Sequence, residues 1–106
     1  MERRVFMIEI FPGTEREYDK RHDEIWPEME SALVRSGFHN YSLFRSGTTI
    51  IGYVECHPTI AEAGLNMSKE EVSDKWGESM REIIDYEKTN SLPVFHQVWH
   101  LNEALS

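Results

Sequence analysis

A tyrosine and a histidine four residues apart are the first residues in this sequence whose types and spacing could do chemistry. Tyr18 and His22 fall one turn apart on a predicted helix, where side chains at i and i+4 lie one above the other. A phenol and an imidazole at this spacing can contact the same small ligand. Because an imidazole titrates close to neutral pH, it can donate or accept a proton there. The pair therefore predicts a site at the edge of a pocket.

The polarity of this pair is unusual for its place in the helix. The inward stripe of the predicted amphipathic helix consists of Tyr18, His22, Ile25, Met29 and Leu33. Such a stripe is normally apolar throughout, but its first half here is polar. A tyrosine and a histidine that only satisfy their hydrogen bonds within the core would produce the same pattern. The spacing alone leaves both interpretations open.

The elements around this helix can be read from periodicity and from turn residues. Alternating apolar residues predict four strands, at residues 3–11, 38–45, 49–57 and 94–101. Thr14 with Glu17 predicts a capping box at the start of the helix, and Gly37 predicts its end. Pro27 predicts either a kink in one long helix or a second helix that begins at the proline.

A second helical region precedes the last strand. Thr59 with Glu62 predicts a short helical turn, and Ser68 with Glu71 predicts the cap of a longer helix. The inward stripe of this longer helix consists of Val72, Trp76, Met80 and Ile83.

The order βαββαβ predicts an α+β protein of the ferredoxin-like class. Its economical packing is a four-stranded antiparallel sheet with the helices on one face. Several of the predicted strands carry apolar residues on both sides, so the face without helices also needs a cover. We expect a second copy of the chain to cover it, as a homodimer.

Length and charge exclude several classes of protein. The 106 residues suit a single domain, 1–106, and 19 acidic against 11 basic residues give a net charge of -8. We therefore expect no nucleic-acid partner and no membrane association. The apolar run at residues 5–11 is too short to span a membrane. The single cysteine, Cys56, cannot form an intrachain disulfide and indicates a cytoplasmic protein.

Several short motifs together resemble the L-rhamnose mutarotase family. They are Tyr18-x-x-x-His22-x-x-Ile25-Trp26-Pro27-Glu28, His39-Asn40-Tyr41, Trp76, and the closing run Phe95-His96-Gln97-Val98-Trp99-His100-Leu101. The resemblance spans nearly the whole chain. It implies a dimeric α+β barrel that interconverts the α and β anomers of a free sugar and uses neither a metal nor a cofactor.

The resemblance also implies roles for individual residues. It implies that His22 is the catalytic proton donor and that Tyr18, Tyr41 and Trp76 line the sugar. Mutarotation needs one acid and one base, and the identity of the base stays open. Better-known family members have a second tryptophan where this sequence has Gly77. This departure puts the choice of sugar in question more than the chemistry.

Alternative interpretations of these residues follow from their types alone. Trp76 and Tyr41 could be ordinary core residues. A metal held by His96 and His100 is disfavoured, because four residues along a strand separate them by about 13 Å. One alternative function is a haem- or quinol-handling enzyme of the dimeric α+β barrel group. The other is a non-enzymatic domain that binds a small ligand.

Overall fold

The computed structural model of the protein describes residues 1–105, as an α+β fold with helices packed on an antiparallel sheet. The strands are β1 (Glu2–Glu9), β2 (Phe38–Ser46) and β3 (Thr49–Cys56). The helices are α1 (Glu15–Asp23), α2 (Pro27–Ser36), α3 (Ile60–Ser68), α4 (Glu71–Ser79) and α5 (Tyr86–Asn90), with a final 3-10 turn at Glu103–Leu105. None of the helices in the described chain is long and apolar enough to cross a membrane.

β3 is the central strand of the sheet, which has the order β1-β3-β2 with antiparallel pairing. Alternate residues of β3, such as Ile50 and Val54, are fully buried beneath the helices. The opposite face has no helix over it and exposes apolar side chains. On this open face Val5 is 39% exposed, Ile51 46% and Phe44 63%. The expectation of helices on one face and an apolar second face therefore fits the side-chain burial.

The predicted fourth strand at residues 94–101 is wrong for the described chain, where the sheet has three strands. Residues 84–89 already form hydrogen bonds with one end of β1, at the edge where a fourth strand would pair. The amide of Asp85 donates to the carbonyl of Glu9 at 3.0 Å, and Ile84 forms an isolated bridge with Ile10. The Glu9 amide in turn donates to the Thr89 hydroxyl at 3.0 Å. Residues 84–89 therefore occupy the Glu9 end of the β1 edge, and residues 94–101 form no strand of the sheet.

Residues 93–102, which we call the C-terminal arm, run on without regular structure. Apolar side chains of the arm are strongly exposed: Val94 is 73%, Trp99 74% and Val98 95% exposed. The arm lies beside the open face of the sheet and encloses a small cavity of about 240 Å³ with Arg3, Val5 and Tyr53. Its alternating pattern is that of a strand, but it pairs with no strand among the described residues.

Pro27 divides the first helical region into two helices, as one of the two sequence alternatives predicted. Trp26 has extended backbone angles, φ -62° and ψ 132°, and Pro27 is the first residue of α2. The predicted capping box is wrong, because the Thr14 hydroxyl donates to the Phe11 carbonyl at 2.7 Å instead of capping α1. Gly37 ends α2 with a φ of 116°, as predicted.

The second helical region also consists of two helices. The Thr59 hydroxyl accepts from the Glu62 amide at 3.1 Å, so the predicted cap of α3 is confirmed. The predicted cap at Ser68 is wrong, because Ser68 is the last residue of α3 and α4 follows Glu70 without a side-chain cap. The Ser68 hydroxyl donates to the Leu65 carbonyl, as expected at a helix end.

A bulge in β2 changes which of its side chains face the helices. His39 pairs with Glu55 but Ser42 pairs with Tyr53, so β2 has one extra residue there. Asn40 accommodates it with a φ of 48°. Strict alternation along residues 38–45 was therefore the wrong expectation. The bulge places Phe38, Tyr41 and Leu43 on the helix face, with the Tyr41 ring 5.9 Å from that of Phe6.

Candidate active site

The imidazole of His22 is held by a hydrogen bond within its own helix. Nδ1 of His22 lies 3.0 Å from the carbonyl oxygen of Tyr18. A carbonyl can only accept, so Nδ1 must carry the hydrogen. Nε2 is then the nitrogen left for a ligand: it has a free lone pair when the ring is neutral and an N–H when the ring is protonated.

The Tyr18 ring lies directly beside His22, with ring centroids 4.3 Å apart and planes tilted by 32°. Tyr18 is only 3% exposed, and its hydroxyl has no hydrogen-bond partner among the described residues. Burial, followed by the nearby Tyr41 phenol, raises the pKa of Tyr18 far above its ordinary value. A buried hydroxyl without a partner is uncommon, which makes Tyr18 a candidate for contact with a ligand.

A groove between α2 and β2 starts at His22. Its volume is about 540 Å³, within the usual range for small-molecule sites. The lining is mostly apolar and consists of His22, Ile25, Met29, Glu30, Leu33, Val34, Phe38, His39, Asn40, Tyr41, Leu43 and Trp76. His22, Tyr41 and Trp76 thus share one cavity.

The Trp76 indole forms the wall of the groove next to His22. Its ring meets that of His22 edge to face at 5.4 Å and that of Trp26 edge to face at 5.2 Å. Trp76 also packs against two of the buried core clusters. It is therefore both a core residue and a groove residue.

Tyr41 reaches the groove from the bulge in β2. Because protein surrounds its hydroxyl, the pKa of Tyr41 is raised to about 12, although 40% of the residue is exposed. The phenol therefore stays protonated at neutral pH. It can donate a hydrogen bond to an oxygen in the groove.

A second cavity, of about 430 Å³, shares His22 and Leu43 with the groove. We call it the polar cavity; its lining is Tyr18, Asp19, His22, Asp23, Leu43 and Arg45. Arg45 donates from Nε and Nη2 to the two carboxylate oxygens of Asp19, at 2.8 and 2.7 Å. This ion pair lowers the pKa of Asp19, chiefly through the hydrogen bonds from Arg45.

Arg21 fixes the separation of the two helices that carry these side chains. From α1 it donates through Nη1 to the carbonyl of Ser79, the last residue of α4. Nε of Arg21 donates to Glu17 at 2.9 Å, which orients the guanidinium. The Ser79 hydroxyl bonds back to the Trp76 carbonyl at 2.7 Å. Arg21 therefore links α1, which carries Tyr18, to the C-terminal end of α4, which carries Trp76.

Gly77 points away from the groove, whose lining includes Trp76 but not Gly77. Its carbonyl accepts from the Tyr86 hydroxyl at 2.8 Å. A Cβ at Gly77 would lie nearest the Tyr86 hydroxyl, at 3.9 Å. Of the other histidines, His39 also lines the groove, and its ring contacts that of His57 at 4.9 Å. The arm carries His96 and His100.

Local spacing predicted that Tyr18 and His22 are neighbours, which the structure confirms. Tyr41 and Trp76 both line the groove, and the sugar-binding roles that the resemblance implies for them stay predictions. The Asp19–Arg45 ion pair was missed, because its partners lie 26 residues apart and neither belongs to a recognisable motif.

Comparisons with known proteins give a consistent result. A family model described as L-rhamnose mutarotase matches residues 3–102. The L-rhamnose mutarotase of Oceanobacillus iheyensis is 38% identical over 93 residues, which cover 86% of this chain and 85% of the relative. That of Lachnoclostridium phytofermentans is 34% identical over 107 residues, which cover 96% of this chain and all of the relative.

A solved structure has the same fold. The crystal structure of an L-rhamnose mutarotase from Formosa agariphila superposes with a TM-score of 0.76 and covers 96% of this chain and 100% of its own. The two sequences are 24% identical, so this likeness concerns the fold.

Proposed function

Since the chain belongs to the L-rhamnose mutarotase family, we propose that it is an isomerase that interconverts the α and β anomers of L-rhamnose or a related aldose. One observation carries the chemistry: Nδ1 of His22 is engaged by Tyr18, so that Nε2 is the imidazole nitrogen left for the sugar. The groove beside it has room for a monosaccharide.

The proposed reaction uses the protonated and the neutral forms of His22 Nε2 in turn. Protonated Nε2 donates its hydrogen to the ring oxygen of the sugar while the anomeric hydroxyl loses a proton. The bond between the anomeric carbon and the ring oxygen breaks, and an open-chain aldehyde forms. After rotation about the adjacent carbon–carbon bond, the freed hydroxyl attacks the other face of the aldehyde and returns its proton to Nε2. The carbonyl oxygen takes back a proton from the water that accepted the first one and becomes the new anomeric hydroxyl. Positioned acid–base catalysis of this kind is worth about 10² to 10⁴-fold.

Trp76 and Tyr41 supply binding in this proposal. The indole offers a flat apolar wall against the C–H face of a sugar ring. The Tyr41 phenol, which stays protonated, donates to a sugar hydroxyl. The Tyr18 hydroxyl gains the partner that it lacks in the free protein. Water can take up the anomeric proton.

Saturation transfer between anomeric protons, measured by one-dimensional NMR, tests the proposal. We expect the protein to accelerate exchange of L-rhamnose above the buffer rate, and to do so for only part of a panel of deoxy-hexoses and hexoses. Exchange at the buffer rate for the whole panel would contradict it. A Soret shift on addition of haem would instead favour the haem-enzyme alternative.

We also propose that the protein works as a homodimer in the cytoplasm. The open face exposes Val5, Phe44 and Ile51, and the C-terminal arm exposes Val98 and Trp99. An apolar surface of this kind needs a cover, and a second copy of the chain offers the same apolar face in return. The buried free thiol of Cys56 suits a reducing compartment.

Light scattering tests the dimer. The expected mass is about 25 kDa, twice the 12.5 kDa of one chain. Trp99→Asp should shift the mass toward that of one chain if the arm belongs to the interface. A wild-type mass near 12.5 kDa at micromolar concentration would contradict the proposal.

A further inference from the structure

We propose that Asp19 and Arg45 bind hydroxyl groups of the sugar, so that the substrate occupies the polar cavity as well as the groove. The inference rests on the proposed function and deepens it. It assigns a hydroxyl-binding role to two residues and makes them determinants of sugar specificity.

The two cavities meet at the side chain that faces the sugar. His22 and Leu43 line both the groove and the polar cavity. A ligand held at Nε2 of His22 can therefore extend into either cavity. The groove is mostly apolar, and the polar cavity has three charged side chains in its wall, those of Asp19, Asp23 and Arg45.

The Arg45 guanidinium is held in place before any ligand arrives. Besides its two bonds to Asp19, it donates from Nη1 to the Gly47 carbonyl at 2.9 Å. Side-chain exposures of 28% for Arg45 and 47% for Asp19 leave part of each group open to the cavity. A prearranged cation and anion side by side match a sugar hydroxyl, which both donates and accepts.

Two further observations indicate that this cavity receives polar groups of a ligand. The Tyr18 hydroxyl belongs to a cavity-lining residue, is buried, and has no partner among the described residues. The Asp23 carboxylate has no ion-pair partner in the described chain. A sugar ring has hydroxyls along one edge and C–H groups on its faces. It therefore satisfies the polar cavity and the apolar groove together.

The experiment combines a protein variant with analogues of the substrate. KM and kcat for anomer exchange are measured for the wild type and Arg45→Gln, on L-rhamnose and on its 2-, 3- and 4-deoxy analogues. A hydrogen bond to a charged group changes binding by roughly tenfold or more. We expect Arg45→Gln to raise KM for L-rhamnose about tenfold and to change kcat little. It should leave KM unchanged for the analogue that lacks the contacted hydroxyl.

Arg35→Gln is the matched control. Arg35 forms the same two-pronged pair with Glu70, at 2.7 and 2.9 Å, but lines neither the groove nor the polar cavity. Arg35→Gln should leave KM for L-rhamnose unchanged. If Arg45→Gln does not fold, the charge-reversed pair Asp19→Arg with Arg45→Asp keeps the ion pair and should still raise KM for L-rhamnose.

The outcomes separate this inference from the proposed function. Equal effects of Arg45→Gln on all four sugars, or none on any, would overturn the inference alone. So would an unchanged KM in the charge-reversed pair. If the wild type itself did not exchange the anomers of L-rhamnose, the proposed function would fail, and this inference with it.

Discussion

The carbonyl oxygen of Tyr18 accepts the Nδ1 hydrogen of His22 at 3.0 Å, one helical turn away. A backbone acceptor cannot move away without unwinding α1, so the orientation of the imidazole is built into the helix. The same turn places the Tyr18 ring beside the imidazole at 4.3 Å. The i, i+4 spacing therefore sets both the tautomer of His22 and one wall of its surroundings.

Tyr18→Phe should separate stability from function. In the free protein the Tyr18 hydroxyl is buried without a partner among the described residues, so its removal should raise the free energy of unfolding by up to about 1 kcal/mol. The same change should weaken sugar binding several-fold, because the variant lacks the hydroxyl that is proposed to donate a hydrogen bond to the sugar. Denaturant unfolding and a sugar titration measure the two effects. Tyr86→Phe is the control, since it loses the bond to Gly77 and should destabilise.

Trp76→Ala should cost stability as well as sugar binding. Trp76 packs against two core clusters, so we expect a loss of about 3 kcal/mol in the free energy of unfolding. Trp26→Ala is the comparison, because Trp26 contacts Trp76, is 36% exposed and lies outside the groove. It should destabilise less and leave sugar affinity close to wild type. Equal losses of affinity in both variants would show that the indole of Trp76 is not the binding wall.

Glu9 should make stability depend on acid pH. Its carboxylate accepts from the hydroxyls of Thr48 and Thr49 at 2.5 and 2.9 Å, and the Thr48 bond is the main cause of its lowered pKa. A lowered pKa in the folded state contributes stability that is present above the ordinary carboxyl value and is lost as pH falls through the folded value. The difference in Tm between wild type and Glu9→Gln should therefore shrink from about pH 6 to about pH 3. Glu87→Gln, at an exposed position in α5, is the control for the loss of one surface charge.

Two glycines should respond to alanine with opposite signs. A Cβ at Gly77 would meet nothing closer than the Tyr86 hydroxyl at 3.9 Å, so Gly77→Ala should stabilise α4 by roughly 0.5 to 1 kcal/mol. A Cβ at Gly52 would overlap the Phe6 ring, so Gly52→Ala should destabilise. Thermal unfolding measures both. A lower Tm for Gly77→Ala would contradict the expectation that α4 has room for a Cβ at this position.

Features that depend on neighbouring residues in the sequence could be predicted well. Pro27 indicated one of two helix arrangements, Gly37 the end of α2 and Thr59 the cap of α3, because each acts within one helical turn. The capping box at Thr14 failed because its hydroxyl had a competing acceptor, the Phe11 carbonyl. That competition depends on the path of the preceding loop, which spacing does not describe.

Features that depend on distant partners could not be predicted. The bulge at Asn40 is defined by the ladder with β3. Strict alternation would put Phe38 and Phe44 on one face, but Phe38 packs against the core and Phe44 lies on the open face. Alternation at residues 94–101 indicates a strand but does not specify what it pairs with. The Asp19–Arg45 pair likewise could not be predicted, because it forms only where α1 and β2 meet in the folded chain.

The most direct test of the account is the exchange rate of His22→Asn on L-rhamnose. Asparagine keeps an amide near the position of Nδ1, which can still donate to the Tyr18 carbonyl, but it lacks Nε2. We expect an unchanged circular dichroism spectrum and a loss of about 10² to 10⁴-fold in anomer exchange, measured by saturation transfer. Exchange at the wild-type rate in this folded variant would contradict the assignment of proton transfer to Nε2 of His22.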